Sequence, residues 1–340
     1  MRFTAIVLSR VAAGLTLGLS LASATLAQTP LETLSDTVAQ VEERLGARVG
    51  LSLVDTGSGL TWAHREDERF LMNSTVKVPL CGAVLARRDA GELSLAEALP
   101  VTAEDIVSYA PVSEQKVGQT MTLAELCLAT IDISDNTAAN LLIGRLGGPE
   151  AVTQAFRDSG DEVSRLDRLE PGLNAFAPGD PRDTTTPAAM SATLSRILLG
   201  DVLTAESRDQ LSDWMSYGGV TGALLRRDAP ESWQIFDKSG AGTHTRNIIA
   251  VVIPDDASPW IVTIFVSDTD ADFDTRNAAL QEIGSAVMAV IADRAQLPRS
   301  GQSQSAYIGD MNALRHRRRC QSGAGANCTQ SLRPTRRGIS

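Results

Sequence analysis

The chain has 340 residues, 43% hydrophobic and only 4% aromatic, with a formal net charge of −10. That length supports one large domain or two smaller ones around a shared core. No apolar run near 18 residues lies in the body of the chain, which argues against an integral membrane protein.

The N-terminus differs from the body. Arg2 and Arg10 precede an apolar segment, Val11 to Leu21, followed by the small residues Ala22-Ser23-Ala24 and Thr25-Leu26-Ala27. This pattern predicts a secretory signal peptide over 1–27, cut after Ala27 or alternatively after Ala24, and hence export to an oxidising compartment. Of the four cysteines, Cys81 and Cys127 lie in apolar helical runs, and Cys320 and Cys328 lie in a polar tail. Spacing alone leaves three pairings open, or two buried free thiols.

Apolar spacing predicts a helix over Thr33 to Leu45, stopped at Gly46, then a strand from Arg48 to Val54 and a return strand from Leu60 to His64. The run Val78 to Leu85 reads as a buried helix that places Ser74 and Lys77 on one face. Thr122-Leu123-Ala124-Glu125 is a capping box opening a helix through Thr130. Further helices are predicted over Thr137 to Leu146, from Pro149 to Gly160, from Thr186-Pro187 through Leu199, and from Thr204 through Met215. Between Leu166 and Thr186 nothing is periodic, and loops of that length are commonly functional. Strands resume at Trp233 to Phe236, Asn247 to Ile253 and Trp260 to Ser267, and Thr275 to Ala295 is a final amphipathic helix.

The expected architecture is α+β, with an antiparallel five-stranded sheet formed by both chain ends, flanked by helices, and an all-helical subdomain. The catalytic domain spans 28–297, its α/β part about 30–65 and 231–297 and its helical part about 66–230. The tail over 298–340 carries eight arginines against one acid, Asp310, and reads as a basic, disordered extension.

Four groups carry chemistry. Ser74-Thr75-Val76-Lys77 pairs a hydroxyl with an amine that can serve as its base once burial and a second cation lower its pKa. Ser134-Asp135-Asn136 falls at a helix break and offers a second hydroxyl and an amide. Glu170 and Asn174 lie in the long loop, with Arg168 and Asp183 near its ends. Lys238-Ser239-Gly240 ends the strand starting at Trp233, and Gly240 and Gly242 are expected to leave room for a ligand backbone along the strand edge. Three scattered histidines and no G-x-S-x-G elbow argue against a Ser-His-Asp triad. The chain also lacks H-x-H and H-E-x-x-H patterns, which argues against a metal centre.

In that order, S-x-x-K, S-D-N, E-x-x-x-N and K-S-G resemble the class A serine β-lactamases over roughly Leu34 to Ala295. The resemblance implies Ser74 as nucleophile, with Lys77 or a water held by Glu170 and Asn174 taking its proton. It implies an oxyanion hole from the Ser74 and Ala241 N–H groups, and Ser134, polarised by Lys238, as proton donor to the lactam nitrogen. Asn136 would bind the substrate's side-chain amide, and Glu170 would activate the deacylating water. Arg246 with Ser239 is the expected carboxylate site, Tyr109 sits at the cleft mouth, and Arg168 and Asp183 staple the loop. Asp135 is expected to cap backbone N–H groups, and a Cys81–Cys127 disulfide matches the family's usual bridge. No cofactor or metal, no nucleic acid and no stable membrane association are implied, and a periplasmic monomer acting on β-lactams is expected.

The text from Pro178 to Pro187, with Asp213-Trp214-Met215 and Val220-Thr221-Gly222, is similar to the carbenicillin-hydrolysing branch, which often has Arg where Lys238 stands. That points to a penicillinase with weaker cephalosporin activity. A D,D-peptidase or a β-lactam sensor would share the serine scaffold, and Glu170 with Asn174 discriminates against both. Three features depart from the pattern: Pro79 inside a helix, a Gly242–Thr245 turn one residue shorter than in many relatives, and the tail.

Overall fold

The computed structural model describes residues 28–296, so the leader, the basic tail, Cys320 and Cys328 lie outside the described residues. In chain order the elements are α1 (Pro30–Leu45), β1 (Arg48–Asp55), β2 (Thr61–His64), β3 (Phe70–Leu71), α2 (Lys77–Asp89), β4 (Ala98–Pro100) and β5 (Thr120–Thr122). Then come α3 (Leu123–Leu128), α4 (Asn136–Leu146), α5 (Pro149–Asp158), β6 (Thr184–Thr185), α6 (Pro187–Leu194) and α7 (Ala205–Trp214). The chain closes with β7 (Gln234–Ala241), β8 (Arg246–Ile253), β9 (Trp260–Ser267) and α8 (Phe273–Ala295).

The main sheet is five-stranded and antiparallel, in the order β2-β1-β9-β8-β7. Both faces are covered, so the strands read as near-continuous apolar runs, and alternate residues divide between two cores. On β8, Ile248, Ala250 and Val252 join Leu34, Val38, Leu280 and Val287 under α1 and α8. The intervening Ile249, Val251 and Ile253 join the core beneath the helical half, with Val84, Leu142 and Met190. Leu45 O accepts from Thr269 Oγ1 and Arg44 pairs with Glu282, so α1 and α8 lie antiparallel. On the opposite face, Gly50 on β1 lets α6 and β3 pack close, because a Cβ there would collide with Phe70 and with Pro187 at the start of α6.

Local signals set the helix ends. Thr29 and Thr122 form capping boxes with Glu32 and Glu125, and Thr186, Thr204 and Asp272 cap α6, α7 and α8. Two short ribbons, β3 with β6 and β4 with β5, punctuate the otherwise helical half. Pro79 proves inexpensive: it falls in the first turn of α2, where backbone N–H groups have no α-helical partner to lose. No helix among the described residues is long and apolar enough to cross a membrane.

Candidate active site

Ser74 stands in a 3₁₀ turn, Asn73–Val76, rather than in the α-helix its spacing predicts, and Lys77 begins α2 directly after it. Asn73 has φ of +50°, an uncommon conformation for a residue with a side chain. Its amide is therefore held from several sides. Oδ1 accepts from Thr245 Oγ1 at 2.8 Å and from Asn247 Nδ2 at 3.0 Å, and Nδ2 donates to Asn174 Oδ1 at 3.0 Å. The bracing ties the Ser74 turn to β8 and to the long loop. Ser74 opens onto a cavity of about 350 Å³, lined also by Ser134, Asn136, Asn174, Ser239 and Arg246.

Lys77 is wholly buried and has several acceptors. Nζ lies 2.6 Å from Asn136 Oδ1, 2.9 Å from Ser134 O, 3.3 Å from Ser134 Oγ and 3.1 Å from Glu170 Oε1. Burial pushes its pKa below the ordinary lysine value, and the Glu170 carboxylate opposes that shift. Ser134 follows a π-helical turn, Ala129–Ile133, in a left-handed conformation with φ of +65°. That turn aims its carbonyl and hydroxyl at Lys77. Lys77, and not Lys238, is the lysine hydrogen-bonded to Ser134.

Asp135 bonds to backbone and serine groups. Its Oδ1 caps α4 at Ala138 N (2.9 Å) and accepts from Ser113 Oγ, while Oδ2 accepts from Val112 N and Ser113 N. This fixes the segment bearing Tyr109, which has φ of +63°, is 57% exposed, and lines the cavity.

Glu170 is 3% exposed. Its Oε2 accepts from Asn174 Nδ2 at 2.5 Å, and its Oε1 faces the Lys77 ammonium. Asn140, which sequence reasoning missed, holds its backbone at both ends: Oδ1 accepts from Glu170 N (2.8 Å) and Nδ2 donates to Glu170 O (2.9 Å). The available signal was position, since Asn140 lies one helical turn beyond Asn136 on α4. The loop's ends are joined by bonds through Asp183. Asp183 pairs with Arg168 and accepts from the N–H groups of Asp167 and Arg168, and Asp167 returns a bond from Asp183 N at 3.0 Å.

Lys238 lies inside β7, which runs on to Ala241 instead of ending before the K-S-G triplet. It is wholly buried and donates to Ser239 O at 2.9 Å. Burial first, and then the charges of Lys77 and Arg246, hold its pKa well below the ordinary value. The preceding Asp237 is buried against Arg226 (2.7 Å) and Thr221 (2.8 Å), and desolvation raises its pKa.

Arg246 is 6% exposed. It donates from Nε to Asn277 Oδ1 (3.0 Å) and from Nη1 to Gly240 O (3.2 Å). Its pKa is lowered to about 10, by burial and by Arg276.

The glycines have a structural reason as well. A Cβ on Gly240 would meet Met72 O at 2.9 Å and Ser74 N at 3.1 Å, and one on Gly242 would meet the side chains of Asn73 and Thr245 at 2.8 Å. Both let the Ser74 turn pack close, and Gly240 also lines the cavity. Behind the serines, Cys81 on α2 and Cys127 on α3 form a disulfide with a Cα–Cα distance of 5.8 Å.

The chain is similar to known proteins over most of its length. The family model described as "Beta-lactamase enzyme family" matches residues 33–291. A β-lactamase of Rhodobacter capsulatus is 67% identical over 293 residues, covering 86% of this chain and 100% of the relative. The β-lactamase L2 of Stenotrophomonas maltophilia is 46% identical, covering 75% of this chain and 84% of its own. Among solved structures, an ancestral class A β-lactamase is 50% identical with a TM-score of 0.73, covering 75% of this chain and 98% of that one. A β-lactamase from Xanthomonas campestris pv. campestris is 44% identical with a TM-score of 0.75, covering 78% and 100%. With a matched five-stranded fold, the Ser74–Lys77–Glu170 grouping and relatives of this identity, the chain belongs to the class A β-lactamases.

Proposed function

We propose that the protein hydrolyses penicillins in preference to cephalosporins, through an acyl-enzyme on Ser74, and that it is exported to the periplasm, where it confers β-lactam resistance. The observation that carries this reading is the buried Glu170, its backbone held by Asn140 and its carboxylate by Asn174, 3.1 Å from the Lys77 ammonium that follows the Ser74 turn. A carboxylate in that position can act on a water as general base, the step a merely acylated binding protein lacks.

In acylation, Ser74 Oγ attacks the lactam carbonyl and its proton passes to Lys77 or, through water, to Glu170. The carbonyl oxygen takes up negative charge between the backbone N–H groups of Ser74 and Ala241. The ring C–N bond breaks, and the nitrogen receives a proton from Ser134, to which Lys77 is bonded. Lys238, Ser239 and Arg246 supply the charge and hydroxyl that bind the substrate carboxylate. Asn136 is the acyl amide's partner. Glu170 then takes a proton from water as it attacks the ester, which frees Ser74 and releases the ring-opened acid. The penicillin preference is supported by the loop text shared with carbenicillin-hydrolysing enzymes. The ring contact of Phe176 with His244, 5.0 Å between centroids, also closes the gap between the long loop and the β7–β8 turn.

The test mixes mature protein with benzylpenicillin or a cephalosporin in excess and follows ring opening and intact mass together. Many turnovers with little adduct, faster on the penicillin, and a trapped acyl-enzyme in Glu170→Ala are expected. One equivalent opened, with a stable adduct on the wild type, would overturn the hydrolytic reading.

A further inference from the structure

The first turn of α8 presents two side chains to Arg246. Asn277 Oδ1 accepts from Nε at 3.0 Å, and Phe273, four residues earlier on the same helix face, lies with its ring centroid 5.2 Å from Cζ. Gly240 O takes Nη1. Two nitrogens of the guanidinium are thereby bonded and the phenyl ring lies beside it, and Arg246 and Phe273 both line the cavity.

Phe273 is 48% exposed, an unusual place for a phenyl ring at the start of a capped helix. Its burial contributes little to either core. The Arg246 Cζ lies over its ring, so the phenyl limits where the guanidinium can swing and keeps water from that side of the cation.

We infer that Phe273 is a positioning and specificity residue at the carboxylate end of the cleft. It orients Arg246 toward the substrate carboxylate and offers an apolar wall to the group beside that carboxylate. The inference rests on the reading of Arg246 as the carboxylate site. The ring chemistry gives it a direction. In a penicillin, the carbon next to the carboxylate-bearing carbon carries two methyl groups, which a phenyl wall can bury. In a cephalosporin, the carboxylate-bearing carbon is planar and unsaturated, and no such methyl pair stands beside it.

Steady-state kinetics on full-length mature protein test this, with benzylpenicillin and a cephalosporin, using Phe273→Ala, Phe273→Tyr, Arg246→Ala and the double variant Arg246→Ala/Phe273→Ala. Phe273→Ala is expected to raise the penicillin KM about five- to tenfold, with kcat within about twofold and a smaller KM change for the cephalosporin. Phe273→Tyr, which keeps the ring, should stay within about twofold of wild type. In the Arg246→Ala background, removing the ring should raise KM less than it does in wild type, because its orienting role is gone while its wall to the methyl pair remains. An unchanged KM in Phe273→Ala, equal losses on both substrates, or simple additivity would overturn the inference while leaving Arg246 intact. An unchanged KM in Arg246→Ala would instead overturn the carboxylate reading beneath it. The melting temperature should not move in any Phe273 variant, since the ring is half exposed and the Asp272 cap remains.

Discussion

Lys238 carries its charge where water does not reach it, and two further cations, Lys77 and Arg246, lie near enough to disfavour its proton. A lysine with a lowered pKa is charged below that value and neutral above it. The field that attracts a substrate carboxylate therefore fades on the alkaline side, at a pH where an ordinary lysine would still be protonated. Arginine in its place stays charged throughout the accessible range. The alkaline limb of kcat/KM for benzylpenicillin should accordingly move to higher pH in Lys238→Arg than in wild type, and superimposable limbs would show that Lys238 does not set it. The same depression has a consequence for stability. Between the folded and unfolded pKa values the unfolded chain binds more protons, so this group's contribution becomes more favourable as pH rises through that window.

At the scale of elements, the segment between Leu166 and Thr186 owes its shape to its ends and to Asn140. Asp183 has almost no solvent contact, and Arg168 is its one cationic partner among the ion pairs of the described residues. Arg168→Ala should cost about 1–3 kcal/mol by leaving a buried carboxylate short of a donor, read as a lower urea midpoint. Its kinetic effect should fall on deacylation, because Glu170 rides on this loop and Ser74 does not. Acyl-enzyme is expected to accumulate in pre-steady-state mass spectra while the acylation rate stays within about threefold. Equal slowing of both steps would mean the loop also shapes the nucleophile.

This loop also marks how far the sequence could be read. Local codes were legible: the S-x-x-K, S-D-N and K-S-G triads, the Asp135 cap, the Arg168–Asp183 staple and most helix starts rest on neighbours within a turn or on paired charges. What escaped depends on approach through space. Asn140 meets Glu170 thirty positions away. Nothing local announces that the Ser74 turn packs against Gly240 and Gly242. Lys238 was expected to polarise Ser134, yet the fold gives that bond to Lys77. The strand carrying Lys238 was predicted too short, since polar residues inside a sheet covered on both faces look like a strand's end.

Across the whole molecule, the Cys81–Cys127 bridge spans 46 residues and joins α2 to α3 behind the cavity. Loop-closure entropy for that span gives up to about 4 kcal/mol of stabilisation. Neither cysteine is among the residues that line the cavity. Cys81→Ala/Cys127→Ala should therefore lower the melting temperature clearly while leaving kcat/KM within about threefold. A large loss of activity in a still-folded variant would show that the bridge also sets the spacing of Ser74 and Ser134.

The sheet has one more consequence, in time rather than in space. β9 is the last strand to be synthesised, yet it sits in the middle, paired with β1 on one side and β8 on the other. Without β9 the sheet divides into two separate hairpins, β1 with β2 and β7 with β8, each with an unpaired edge where β9 belongs. The last-made strand is the keystone: the sheet can close only once residue 267 has been made.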